Sequence, residues 1–295
     1  MAKYAIGVDY GTLSGRALIV NVQTGEELAT AVLDFSHGVM TEALPCGKKL
    51  GLDWALQHPQ DYLDVLAVTI PQVLKESGID SGDVIGVGID FTACTILPTQ
   101  ADGTPLCFLD EYKCEPHAYV RLWKHHAAQA QANKLNAVAE ERGEKWLQNY
   151  GGKVSSEWAI PKIWQLLDDA PELYTKMDRY IEAADWIVMQ LTGVETRNAC
   201  CAGYKALWNK NTGFPSNDFF KALAPRLENV IDEKFGRDIM PLGAKAGGIT
   251  AAMAKITGLK EGTAVAVGVI DAHIFVPAVG ISREGEMLAI MGTST

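Results

Sequence analysis

Residues 4–22 read YAIGVDYGTLSGRALIVNV, and this stretch constrains the chain more than any other. An apolar run ends on a carboxylate, Asp9, turns through the small and hydroxyl residues Gly11, Thr12, Ser14 and Gly15, and re-enters a second apolar run. Two strands joined so closely must pair antiparallel. A third β-like run at 27–35 follows QTGEE, a stretch suited to a tight turn, so the chain opens as a meander with a loop after its first strand. A carboxylate at a strand end can hold a hydrated metal ion, and Gly11 and Thr12 let amides and a hydroxyl approach phosphate oxygens. A hairpin with an Asp-initiated turn accounts for the loop equally well. The turn is not GxGxxG and leads into a strand, which disfavours a dinucleotide fold, and GxxxxGK[ST] is absent.

Beyond the meander, residues 59–77 have helical periodicity, with Tyr62, Val65, Leu66, Thr69, Ile70 and Val73 on one face and Gly78 as the stop. A buried strand at 84–89 ends at Asp90. Strand, strand, strand, helix, strand is a mixed α/β order. From 115 onward the pattern turns helical, with one long helix expected at 117–139 and others at 158–168, 184–191, 217–227 and 249–257, punctuated by Pro161, Pro171 and Gly193. Strands are expected again at 264–270 and 287–291. No low-complexity stretch, linker or solenoid repeat interrupts the pattern.

The 295 residues are 48% apolar, enough for a substantial core in one large domain or two ordinary ones. A net charge of -10 argues against nucleic acid or an anionic membrane as the default partner. No apolar run approaches the ~20 residues that span a bilayer, and the N-terminus lacks the regions of a signal peptide, so the cytoplasm is the expected location. Cys46, Cys94, Cys107, Cys114, Cys200 and Cys201 have no CxxC spacing and are expected to be reduced thiols, the adjacent pair included.

Two later stretches repeat the opening pattern. AVAVGVIDAH delivers Asp271 from an apolar run, placed to accept a proton from a hydroxyl as a general base, while His273 either orients it or serves structure. MGTST leads a strand into Gly292, Thr293 and Ser294. WKHHAAQ invites a metal reading, but adjacent histidines on a helix point about 100° apart, so His125 and His126 are expected to be partly exposed helix residues. Trp158 and Trp164 are expected to pack, and Glu157 and Lys162 to contribute polar contacts near the site.

GVDYGTLSGRALI, VGVIDAH and GTST together resemble the FGGY carbohydrate kinases, a similarity that runs through essentially all of the chain. GIDFTACTILP, LWKHHAAQ, YGGKVSSEWAIPKI and EAADWIVMQLTG resemble the branch acting on L-ribulose. The resemblance implies an α/β, actin-like (ribonuclease H-like) ATPase domain with a mixed five-stranded sheet flanked by helices and a helical sugar-site elaboration. It implies ATP-dependent phosphorylation of L-ribulose to L-ribulose 5-phosphate in arabinose breakdown, with another pentulose or polyol as the alternative substrate. A homo-oligomer is compatible with it.

By the same resemblance Asp271 is the catalytic base. Asp9 positions Mg²⁺, and Gly11, Thr12, Ser14 and Arg16, with Gly292, Thr293 and Ser294, face the phosphates of ATP. Thr92, Ala93, Trp123, Lys205 and Asp271 contact the sugar, although Trp123 also reads as a core aromatic of a long helix. The implied organisation is a sugar-binding domain at 1–280 and the first strands of a truncated ATP-binding domain at 281–295. A sugar-binding fragment without kinase activity is the expectation for the chain alone. A chaperone-like or filament-forming ATPase would share the phosphate loops but would not need the sugar-site segments.

Overall fold

The computed structural model describes residues 2–290. Its strands are β1 (Tyr4–Tyr10), β2 (Ser14–Asn21), β3 (Glu27–Asp34), β4 (Leu56–Gln57), β5 (Val84–Phe91), β6 (Ile96–Thr99), β7 (Val120–Arg121), β8 (Arg179–Glu182), β9 (Arg197–Asn198), β10 (Ile239–Met240), β11 (Lys245–Gly248), β12 (Ala264–Ala266) and β13 (Val269–Ile270). Its α-helices are α1 (Pro59–Ser77), α2 (Gln129–Glu141), α3 (Ala159–Asp169), α4 (Pro171–Lys176), α5 (Ala183–Thr192), α6 (Ala199–Lys205), α7 (Asn217–Leu223), α8 (Ala251–Thr257) and α9 (Asp271–Ala278).

The main sheet runs β11-β12-β5-β1-β2-β3, with β13 also beside β5. β1, β2 and β3 form the expected antiparallel meander, and β5 lies parallel to β1 with Asp9 opposite Asp90. β12 and β13 are parallel to β5, so three parallel tracks end at the same edge of the sheet. Alternation in β1 buries Ile6, Val8 and Tyr10, and Tyr10 stacks on Phe91 with ring centroids 4.7 Å apart. Helix α1 covers β2 and β3 with the predicted residues, and Gly78 ends it in the left-handed conformation at φ 66°. Helix α5 packs against β5, β11 and β12.

A second sheet, β4-β7-β6-β8, and helices α2, α3, α4 and α7 enclose a second core that includes Leu135, Ile163, Tyr180 and Phe219. This is the helical elaboration, with a small sheet that the sequence reading did not separate from it.

Five expectations need correction. The helix predicted at 117–139 is instead a tight turn at Pro116–Ala118, strand β7 and a loop, and helix begins only at Gln129. Tyr119 and Val120 favour extended backbone, and β4 and β6 capture Arg121 between them, so sheet pairing overrides the helical spacing. The strand predicted at 264–270 is broken, because Val267 N–H bonds Ala244 O at 3.0 Å. Gly268 then passes so close to α5 that an added Cβ would lie 2.9 Å from Ala184 Cβ. With this break and β11 at the edge, the sheet has seven strand segments rather than five. Residues 287–290 form no strand, and Met291, Gly292, Thr293 and Ser294 lie outside the described residues. Finally, Cys46 and Cys114 are paired in a disulfide with Cα atoms 5.9 Å apart. They stand 68 residues apart, and two loops that local spacing does not relate bring them together. Cys94, Cys107, Cys200 and Cys201 are free.

Candidate functional site

Parallel strands deliver chemistry at their carboxyl ends, and here three of them deliver acids. Asp9 closes β1, Asp90 lies opposite it on β5, and Asp271 follows β13, whose Val269 pairs with Asp90. Burial, then the neighbouring Asp9 carboxylate and Asp271, push Asp90 up to about 8. Burial also raises Asp271, with Asp9 adding to the effect and the Ala272 amide and Lys205 opposing it. Burial and the neighbouring acids thus favour the protonated form of Asp90 at the strand ends.

The opening turn is held from several sides. Gly11 N–H is directed inward to Ser14 O at 3.0 Å, and Gln57 Nε2 donates to Thr12 O at 2.8 Å. Trp123 Nε1 donates to Thr12 Oγ1 at 3.1 Å, which ties the turn to the loop after β7. Arg16 Nε lies 3.3 Å from Asp9 Oδ2, and its guanidinium also reaches Ser14 Oγ at 3.4 Å. Arg16 is therefore an ion-pair partner of Asp9 as it stands, with half of its side chain open to solvent.

Beside the acids lies a cavity of about 270 Å³ lined by Thr12, Thr92, Ala93, Trp123, Lys205 and Asp271, with Tyr204, Ile270, Ala272 and Ile290. All five residues expected to meet the sugar share this one cavity, although they come from four separate segments of the chain. Thr92 Oγ1 is 2.7 Å from Thr95 Oγ1, which leaves its hydroxyl able to make up to two further hydrogen bonds. Lys205 is buried at the end of α6 and donates to Glu157 Oε2 at 2.7 Å. Burial opposes its charge, yet Cys94 and Glu157 hold its pKa above the ordinary lysine value. The Cys94 thiol is itself pushed up by burial to about 12, so at neutral pH the charged partner is Glu157.

Trp123 sits in a loop rather than on a helix, which frees its indole to face the cavity. His125 and His126 are likewise off any helix. His125 is fully buried against Gln165, with Nε2 3.2 Å from Gln165 Oε1, whereas His126 is half-exposed beside Glu157. His273 pairs with Cys200, Nδ1 to Sγ at 2.9 Å, and packs edge-on against Tyr204.

Two residues of the site escaped the sequence reading. Asp90 carries the same signal as Asp9 and Asp271, an acid closing an apolar strand, but its spacing alone marks only the end of that strand. Tyr204 gave no signal beyond its place next to Lys205. Among the described residues no three His, Cys, Asp or Glu side chains meet as a closed metal site. A magnesium ion that keeps most of its water does not need one.

Comparison with known proteins places this geometry. Residues 4–276 match the N-terminal domain of the FGGY family of carbohydrate kinases. A ribulokinase from Halalkalibacterium halodurans is 56% identical over 293 residues, which is 99% of this chain and 52% of the relative. A ribulokinase from Bacillus licheniformis is 59% identical over 284 residues, 96% of this chain and 51% of the relative. The chain thus spans about half the length of the curated relatives it matches. Among solved structures, a xylulose kinase from Rhodospirillum rubrum superposes with a TM-score of 0.76 at 18% identity, over 96% of this chain and 52% of that one. The fold is the actin-like one of the sugar kinases, a mixed sheet flanked by helices. With the family model covering nearly the whole chain, the protein belongs to the FGGY family of carbohydrate kinases.

Proposed function

We propose that this chain supplies the sugar site and catalytic base for ATP-dependent phosphorylation of L-ribulose to L-ribulose 5-phosphate. The observation that carries the reading is the convergence of Thr92, Ala93, Trp123, Lys205 and Asp271 on one cavity beside the Asp9 turn. In this reading the apolar face of the ketose packs on the Trp123 indole and against the Ala93 backbone, and the Lys205 ammonium donates to its hydroxyls. The terminal hydroxyl lies at Asp271. Its proton passes to the Asp271 carboxylate as its oxygen bonds to the γ-phosphorus of ATP, and the bond from that phosphorus to the leaving ADP oxygen breaks. A raised pKa suits the acceptor, because a stronger base takes the proton more readily once ionised.

Asp9, at the end of β1 beside the turn, is the residue that would hold Mg²⁺ through its water shell, and the ion would neutralise phosphate charge when bound. Arg16, Thr12, Ser14 and Gly11 form the turn that faces the phosphates in this reading. Residues 1–280 make up the sugar domain, and 281–295, with Gly292, Thr293 and Ser294, open the ATP-binding one. The exposed apolar side chains of Ile274, Phe275, Val276 and Val279 on and beyond α9 support a partner domain there.

Calorimetric titration with L-ribulose, D-xylulose, ribitol and glycerol tests the sugar site directly. Preferential binding of L-ribulose is expected, and tighter binding of any other member of the panel would overturn the substrate assignment. ADP release, measured on a protein of the relatives' full length with Mg-ATP and L-ribulose, tests the reaction.

A further inference from the structure

The two walls of the cavity are the turn after β5, with Thr92 and Ala93, and the loop after β7, with Trp123, and the strand pairing nearest to both is the single match of Ile96 on β6 with Arg121 on β7. Behind both stands Lys162 of α3. It is fully buried, and it is not one of the residues lining the cavity. Its ammonium donates to Cys94 O at 2.7 Å and to Leu122 O at 2.8 Å, with Arg121 O at 3.5 Å. Cys94 directly follows Ala93, and Leu122 directly precedes Trp123. Three N–H donors thus meet three carbonyls, two of them each one residue from a residue facing the sugar.

The tie is reciprocal, since the Arg121 guanidinium donates back to Lys162 O. Cys94 is also held at φ 52°, a left-handed conformation unusual for a side chain other than glycine. Such a turn persists only where its surroundings over-determine it, and the Lys162 bond to the Cys94 carbonyl is one such constraint. An apolar side chain would fill the same volume without the desolvation cost of a buried ammonium. A lysine here is explained by where it points.

We propose that Lys162 is a positioning residue that sets the distance between the Ala93 and Trp123 walls and so fits the cavity to a five-carbon ketose. The substrate part of this proposal rests on the reading given above, whereas the tie between the loops does not. Lys162→Met keeps the stem and removes all three donors. Lys162→Gln is shorter and neutral but keeps two N–H groups, and it serves if the methionine variant does not fold.

Hydrogen exchange on the sugar-free chain reads the tie. Amides of residues 92–95 and 121–124 should lose protection together, by about 10-fold or more, while β1, β2 and α1 keep theirs. Calorimetry should then show L-ribulose bound about 10-fold more weakly, with its preference over glycerol and ribitol reduced. Unchanged exchange in either loop would overturn the tie, whatever the ligand proves to be. Altered exchange with sugar affinity and selectivity within about two-fold of the parent chain would overturn the positioning role. If the parent chain binds no ketopentose, the reading of the substrate falls, and the exchange result alone decides whether Lys162 holds the walls.

Discussion

Replacing Glu157 by Gln separates the charge of the Glu157–Lys205 pair from its shape. The ammonium and carboxylate are 2.7 Å apart, with only 11% and 22% of their side chains exposed. Breaking a fully buried pair by removing one partner costs about 3–5 kcal/mol. The glutamine keeps an acceptor oxygen, and the pair retains some access to water, so roughly 1–3 kcal/mol is the expected loss. At roughly 2 °C per kcal/mol for a chain of this size, that is a fall in Tm of about 2–6 °C. Lys205 has a raised pKa in the folded chain. The stability linked to it is therefore fully present below the unfolded lysine value of about 10.4 and is lost as pH rises through the higher folded value. The difference between Glu157→Gln and the parent should shrink over that same alkaline window. Thermal melts of the parent, Glu157→Gln, Lys205→Met and the double variant close a cycle, with an expected coupling of about 1–3 kcal/mol. Coupling within about 0.3 kcal/mol of zero would refute the idea that the pair holds Lys205 in place.

Three further predictions follow from the same geometry. Asp271→Asn, in a protein of the relatives' full length, should lower kcat about 10²–10⁴-fold with sugar affinity little changed. The acid limb of the parent's rate profile should lie above the usual aspartate range, since the base works only when ionised and its pKa is raised; a limb at an ordinary carboxylate value would contradict this. Asp90 is pushed up to about 8, so between the unfolded value of about 3.9 and 8 the folded chain binds the extra proton and stability declines as pH rises. Asp90→Asn should therefore stabilise the chain by roughly 1–3 kcal/mol near pH 8 and by little near pH 4, as read by denaturant unfolding. Gly268→Ala would place a Cβ 3.0 Å from Ala184 O and 2.9 Å from its Cβ, and should cost about 1–3 kcal/mol in the same assay.

The parts of the fold legible in the sequence were those that local physics decides. Helix α1 has the predicted bounds because its apolar stripe, its N-terminal Pro59 and its Gly78 cap all act within one turn of where they stand. The meander was legible for the same reason, since a short turn leaves two strands no other partner. The segment at 117–139 misled because the evidence against a helix is remote. Arg121 pairs with Leu56 across 64 intervening positions of chain, and no spacing inside the segment records that pairing. The disulfide was hidden in the same way, its two cysteines being brought together by loops whose paths depend on the second core.

The candidate site divides along the same line. Asp9 and Asp271 announced themselves because an acid after an apolar strand is a local pattern, and Asp90 has that pattern as well. What marks Asp90 in the structure is its burial and its neighbour across the sheet: burial raises its pKa, and the register that sets it beside the Asp9 carboxylate raises it further. Lys162 lies at the far end of this scale. Its sequence surroundings, AIPKIW, offer a cation in an apolar stretch of helix and a polar contact near the site, but not the groups it bonds. Its placement acquires meaning from Cys94, Arg121 and Leu122, which approach from two other parts of the chain. Residues that would touch phosphate or sugar can therefore be sought by pattern, because their chemistry dictates their type. Residues that hold those in place can be found only by following each buried polar group to its partners, since such a group must be satisfied somewhere and the partner shows what it is there to hold.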